Sequence, residues 1–89
     1  MNIFMLWFDN DPKASLQEKI LKAVEYYRRK YDRHPEVCLI SQASANENPG
    51  LQSVKFENQE IAVRVWRGTL SHHFWVGVED VMVESTKPQ

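Results

Sequence analysis

Two short stretches hold the side chains that could do chemistry. Ser71 to Asp80 reads SHHFWVGVED: His72 and His73 lead into an aromatic run, and Glu79 and Asp80 close it. At the other end of the chain, Asp9, Asn10 and Asp11 follow an apolar run. Imidazoles and carboxylates gathered at one point suit Zn²⁺ or Mn²⁺. Carboxylates alone suit Mg²⁺ and a phosphate substrate. Either chemistry needs the two stretches to meet, because neither is a complete site by itself.

The geometry of a strand makes that clear. A strand advances about 3.3 Å per residue, so His73 and Glu79 stand roughly 20 Å apart on a regular strand. They cannot share a metal. Adjacent side chains point to opposite faces, so His72 and His73 converge only if His72 belongs to the preceding loop. Phe74, Val76 and Val78 then face one side, and His73, Trp75 and Gly77 the other.

Hydropathy supplies the elements that would position these groups. Residues 3–8 form a short, continuously apolar run, a strand buried on both faces. A helix follows over 12–31, opened by Asp11 and Pro12 or, alternatively, by Ser15, where SLQE makes a capping box with Glu18. Leu16, Ile20, Ala23, Val24, Tyr27 and Tyr31 make its apolar stripe. Pro35 ends it, and residues 36–41 form a second apolar strand. Strand, helix, strand in this length is a right-handed crossover, so the first two strands run parallel. Residues 42–51 are polar with a Pro-Gly turn signal and read as a mobile loop. Residues 53–66 read as a hairpin with Asn58-Gln59 at its tip, Val54 and Phe56 facing Ile61, Val63 and Val65. Residues 73–78 give the last clear strand, VMVES a short edge strand, and 85–89 a frayed tail. The expected fold is a single α/β domain in two layers (α+β), one helix on a mixed sheet of four or five strands in the order β-α-β-β-β-β.

If strand 3 runs antiparallel to strand 2 and the meander continues, strand 5 starts at the rim where strand 1 ends. Asp9, Asn10, Asp11, Ser41, Gln42, Arg67, Ser71, His72 and His73 then share that rim, which lies outside the carboxyl ends of the parallel strands, where open α/β sheets bind ligands. If strand 5 runs the other way, Asp9 and Asp11 meet Glu79 and Asp80 instead. Asp9-Asn10-Asp11 resembles the D-x-D opening of haloacid-dehalogenase-type phosphatases, on those three residues only. The Thr or Val expected two places on is replaced by Pro12 and Lys13, and 89 residues lack the larger core of such enzymes. That family is therefore set aside, and helix capping is the simpler role for the triplet. Ser41 has no nucleophile-elbow context, and no Gly-rich phosphate loop, C-x-x-C or H-E-x-x-H is present.

Charge is uneven along the chain. The formal net charge is −1, yet residues 13–33 hold seven basic residues against three acids. Arg28, Arg29, Lys30 and Arg33 lie among tyrosines, as in a nucleic-acid footprint, but cations in a last helical turn also complement the helix dipole. The single cysteine, Cys38, sits in VCLIS and reads as a core hydrophobe in a reducing, cytoplasmic compartment. No signal peptide or membrane-length apolar run is present.

The sheet raises the sharper question. One helix covers one face, yet strand 1 is apolar on both, and Trp66 and Trp75 alternate away from Val63, Val65, Phe74 and Val76. An open apolar face marks an interface. The expectation is a non-enzymatic interaction or assembly module, a homodimer or part of a complex with another protein, with Met5, Trp7, Trp66 and Trp75 as interface candidates and no cofactor. The alternative is a small metal-dependent hydrolase or nuclease, a divalent metal held by Asp9, Asp11, His72 and His73 with Arg67 steering an anion. The third reading is a weak nucleic-acid binder through the basic helix, with Arg28, Arg29, Lys30 and Arg33; nucleic acid and membrane are not the expected partners.

Overall fold

A computed structural model of the chain describes residues 4–78. It comprises β1 (Phe4–Phe8), α1 (Leu16–Tyr31), β2 (Val37–Ile40), α2 (Gln42–Glu47), β3 (Ser53–Phe56), β4 (Gln59–Val65) and β5 (His73–Gly77). The class is α+β: one mixed five-stranded sheet with two helices. The edge strand and tail expected beyond residue 80 lie outside the described residues.

The helix begins at Ser15, the second of the two expected starts. The Ser15 hydroxyl accepts from the Glu18 amide at 3.1 Å, and the Glu18 carboxylate accepts from the Ser15 amide at 2.9 Å. Each end of this box satisfies a donor that the first turn would otherwise leave open. Arg28, Arg29 and Lys30 close the helix, and Asp32 ends it in the left-handed conformation at φ 53°. Replacing Ser15 with Ala should cost about 1 kcal/mol, read as a lower urea midpoint at unchanged slope.

Strand order is β1-β5-β2-β4-β3. The expected meander is therefore corrected. β3 pairs with β4 and not with β2, and β5 inserts between β1 and β2, antiparallel to both. β2 and β4 pair in parallel. β1 and β2 run the same way, as a strand–helix–strand crossover requires, but with a strand between them. Within β5, Phe74 and Val76 are fully buried on one face and Trp75 is half-buried on the other. β1 is apolar on both faces as well and yet lies at the edge of the described sheet, so alternation within one strand does not decide the order; pairing between residues distant in sequence does.

The hairpin tip is Glu57-Asn58, one residue earlier than expected, with both residues at positive φ (51° and 66°). That is the twist a two-residue hairpin loop requires. Val54 pairs with Ile61, so pairing shifts by two positions and every side chain keeps its face. Residues 42–51 are not all loop: α2 occupies their first half, capped by Ser41, whose hydroxyl accepts from the Ser44 amide at 3.1 Å.

The core lies between α1 and one sheet face. Ile20, Ala23, Val24 and Tyr27 meet Cys38, Ile40, Val54, Ile61, Phe74 and Val76, and Ala45 and Leu51 pack against the same cluster. The segment carrying α2 thus contributes to the helix side of the sheet.

Candidate functional site

The rim comes first, because the sequence pointed there. β5 does begin where β1 ends: the Asp9 amide donates to the His72 carbonyl at 2.9 Å. The two carboxylates, however, are engaged with their own turn. Asp9 Oδ1 accepts from the Asp11 amide at 3.0 Å, and Asp11 Oδ1 from the Lys13 amide at 2.9 Å. These bonds hold the chain as it leaves β1 for α1. His72 takes a left-handed backbone (φ 65°) in the turn before β5 and lines a cleft of about 440 Å³ with Asn10, Asp11, Lys19, Ser44 and Asn48. His73 faces away from that cleft. Its ring stands 4.9 Å from that of Phe8, and its Nδ1 is 2.8 Å from the Ser71 carbonyl oxygen.

The rim therefore gathers Asp9, Asp11 and His72 at one end of the sheet and sends His73 to the opposite face. Among the described residues, no three His, Cys, Asp or Glu side chains are placed to hold a metal ion. The Ser41 hydroxyl is buried and donates to Ser44 Oγ at 3.1 Å, which makes it a cap. Arg67 is exposed in the turn after β4. What the cleft offers, among the described residues, is mixed hydrogen-bonding capacity from Asn10, Asp11, Lys19, Ser44, Asn48 and His72.

The basic end of α1 is partly neutralised. Arg28 pairs with Asp32 at 3.1 Å and approaches Glu57 at 3.9 Å, and His34 Nε2 lies 3.3 Å from the same Glu57 oxygen. Lys30 sits over the rings of Tyr26 and Tyr31, at 5.9 and 5.6 Å from their centroids. Arg29 and Arg33 are exposed. Arg28 and Lys30 are thus engaged with neighbouring acids and tyrosines, an ordinary arrangement for cations at a helix C-terminus.

The other sheet face is the larger feature. In register, Leu6, Trp75, Leu39 and Arg64 form one row across four strands, with Phe8 and His73 beside it. Trp66 meets Trp75 edge-on, with centroids 6.0 Å apart and planes at 74°. Gly68 makes room for the Trp66 indole: a Cβ there would stand 3.2 Å from it. Leu6, Phe8 and Trp66 are 50, 56 and 48 % exposed. Two of the four expected interface residues are corrected here. Met5 belongs to the core, and Trp7 is half-buried on the helix side, its ring 5.3 Å from that of Tyr26. Leu6 and Phe8 take their place on the open face. Alternation alone could name both faces of β1 but not the one that meets α1.

No family model, curated protein or solved structure matches this chain. Its function is therefore argued from its own surface. Among the described residues, no helix is long and apolar enough to cross a membrane.

Proposed function

We propose that the chain is a small non-enzymatic interaction module that pairs with a second copy of itself through the open face of its sheet. The observation that carries this is the row of Leu6, Trp75 and Leu39, flanked by Phe8 and Trp66, on the face away from α1. An aromatic side chain can bury roughly 150–250 Å², so a half-exposed one leaves on the order of 100 Å² in water. Phe8, Trp66, Leu6 and their half-buried neighbours then make a patch on the order of 400 Å², the size at which a surface patch is commonly functional. It is about half of what each partner contributes to a standard interface, and a polar rim including Arg64 and Lys55 completes it. A second copy suits the patch because two twisted sheets pack face to face with side chains interdigitating, and a two-fold axis presents the same apolar row to itself. The single buried thiol, Cys38, fits a reducing cytoplasmic setting.

The test is solution mass across a concentration series. The wild-type chain should show the mass of an assembly, and Trp66→Glu, which sets a charge against the apolar row, should weaken association at least about 100-fold. Trp66 is half exposed, so the folded signal should persist. A wild-type chain that stays monomeric at high micromolar concentration, with Trp66 in water, would sink the proposal.

A further inference from the structure

The edge of the sheet carries a second feature, separate from its open face. Among the described residues β1 is an edge strand, and its sequence FMLWF has no charge, proline or glycine. β3, the opposite edge, is shorter and carries Lys55. Natural edges are usually guarded by charge, proline, a bulge or brevity, and β1 has none of the first three.

The pairing pattern shows which backbone groups β1 presents. The Asp9 amide donates to His72, so Asp9 and His72 are a hydrogen-bonded pair of the antiparallel ladder. Such pairs alternate with non-hydrogen-bonded ones. Trp7 and Met5 therefore bond inward to Phe74 and Val76. Phe4, Leu6 and Phe8 turn both their N–H and C=O groups outward, away from β5.

We infer that β1 of one molecule pairs antiparallel with β1 of a second copy, with Leu6 on the two-fold axis. This rests on the reading of the chain as a self-associating module, but on a different observation from the open face. Place Leu6 opposite Leu6 of the other molecule, and Phe4 falls opposite Phe8 and Phe8 opposite Phe4. All three become hydrogen-bonded pairs, so every outward donor meets an outward acceptor. A register moved by one residue would set outward-turned groups against inward-turned ones. The strand is thus complementary to itself about its central residue. The joined sheet would have ten strands and carry Leu6 and Phe8 of both molecules on one continuous apolar face.

The experiment is cross-linking of full-length chains under mild oxidation, with the Trp66→Glu change present to remove face-to-face pairing. Antiparallel hydrogen-bonded partners have Cα atoms about 5.5 Å apart, within disulfide range. Leu6→Cys should therefore form a disulfide-linked dimer, while Phe8→Cys alone should not, since two such residues would lie roughly 14 Å apart. Equimolar Phe4→Cys and Phe8→Cys chains should cross-link to each other. Cys38 is fully buried and serves as the silent internal control. Leu6→Pro should abolish residual association in the Trp66→Glu chain, since it removes an outward N–H and no bond to β5. Circular dichroism checks that each variant is folded.

A folded Leu6→Cys chain that does not cross-link overturns the inference. If wild type still associates and Trp66→Glu dissociates it, the face reading stands without the edge. A Leu6 amide protected from exchange in a monomeric chain would mean that another segment of the same chain fills the edge, which also overturns it. A Trp66→Glu chain that remains dimeric, and that cross-links once Leu6→Cys is added, upholds the edge and removes the face.

Discussion

Replacing Phe74 with Ala should destabilise the chain by about 3–5 kcal/mol, the usual range for a buried aromatic reduced to a methyl group. Phe74 is fully buried in the central strand β5. It stands opposite Trp7 of β1 and within the cluster that faces Ile20, Ala23 and Val24 of α1. The cost has two sources: lost apolar transfer, and a void that its neighbours cannot close. Those neighbours are held by strands on both sides, so little collapse is available. Total stabilities are commonly about 5–15 kcal/mol, so this one change should remove roughly a fifth or more of the margin. For a chain of this size each kcal/mol moves the melting temperature by roughly 4–8 °C. Thermal and urea denaturation at fixed protein concentration would measure it. Phe8→Ala is the comparison. Phe8 is 56 % exposed on the same sheet, and its loss should cost under about 1 kcal/mol in the monomer. Similar losses for the two would mean that β5 does not hold the core together.

The second large effect is alkaline. Burial pushes the Cys38 thiol from its ordinary 9.0 up to about 12. Burial also raises Tyr27 above its ordinary 10.0, the Arg33 charge opposing and Tyr31 and Glu36 adding to it. Both groups stay neutral in the folded chain where they ionise in the unfolded one. Their contribution is therefore fully present below pH 9 and is lost as pH rises toward 12. While Cys38 alone ionises only on unfolding, stability should fall by about 1.4 kcal/mol per pH unit. Denaturation curves from about pH 8 to 11 would show the slope, and Cys38→Ala should reduce it. The same burial should make Cys38 unreactive toward thiol reagents in the native state, so labelling would report the opening of the fold. Fast labelling under native conditions would contradict that placement.

Local pattern reveals the parts of this molecule better than their assembly. The α1 stripe at Leu16, Ile20, Ala23, Val24 and Tyr27 follows from helical spacing, and the Ser15–Glu18 box from four consecutive residues. The facing of Val54 and Ile61 survives a misplaced turn because the error is an even number of residues. Strand order is another matter. It depends on pairing between residues far apart in sequence, and nothing local to HFWVG says that it lies between β1 and β2. α2 is hidden because QASANE has little apolar periodicity; its six residues are held by the Ser41 cap, by side-chain bonds of Gln42 and Asn48 and by Ala45 on the core.

The candidate site divides in the same way. That His72 and His73 point apart follows from strand alternation plus the turn that ends at His72. That Asp9 and Asp11 bind backbone amides is the ordinary behaviour of aspartates leaving a strand. The open face is foreseeable from Trp66 and Trp75, which alternate away from valines. Leu6 and Phe8 are not, because Met5 and Trp7 are equally apolar and only the helix decides between the two sets.

The place of β5 also sets the order in which the molecule can form. β1 and β2 do not touch as strands; each is paired with β5. A ribosome that has released residues up to 70 has released α1, the β2-β4-β3 part of the sheet and β1, yet the strand that joins them is missing. Until His73 to Gly77 emerge, β1 and β2 present bare inner edges, and the nascent chain is exposed to mispairing. Completion awaits nearly the whole described chain and a closure across about seventy residues, a slow kind of contact to make. A chain cut before Gly77 should therefore fail as a unit instead of losing one strand.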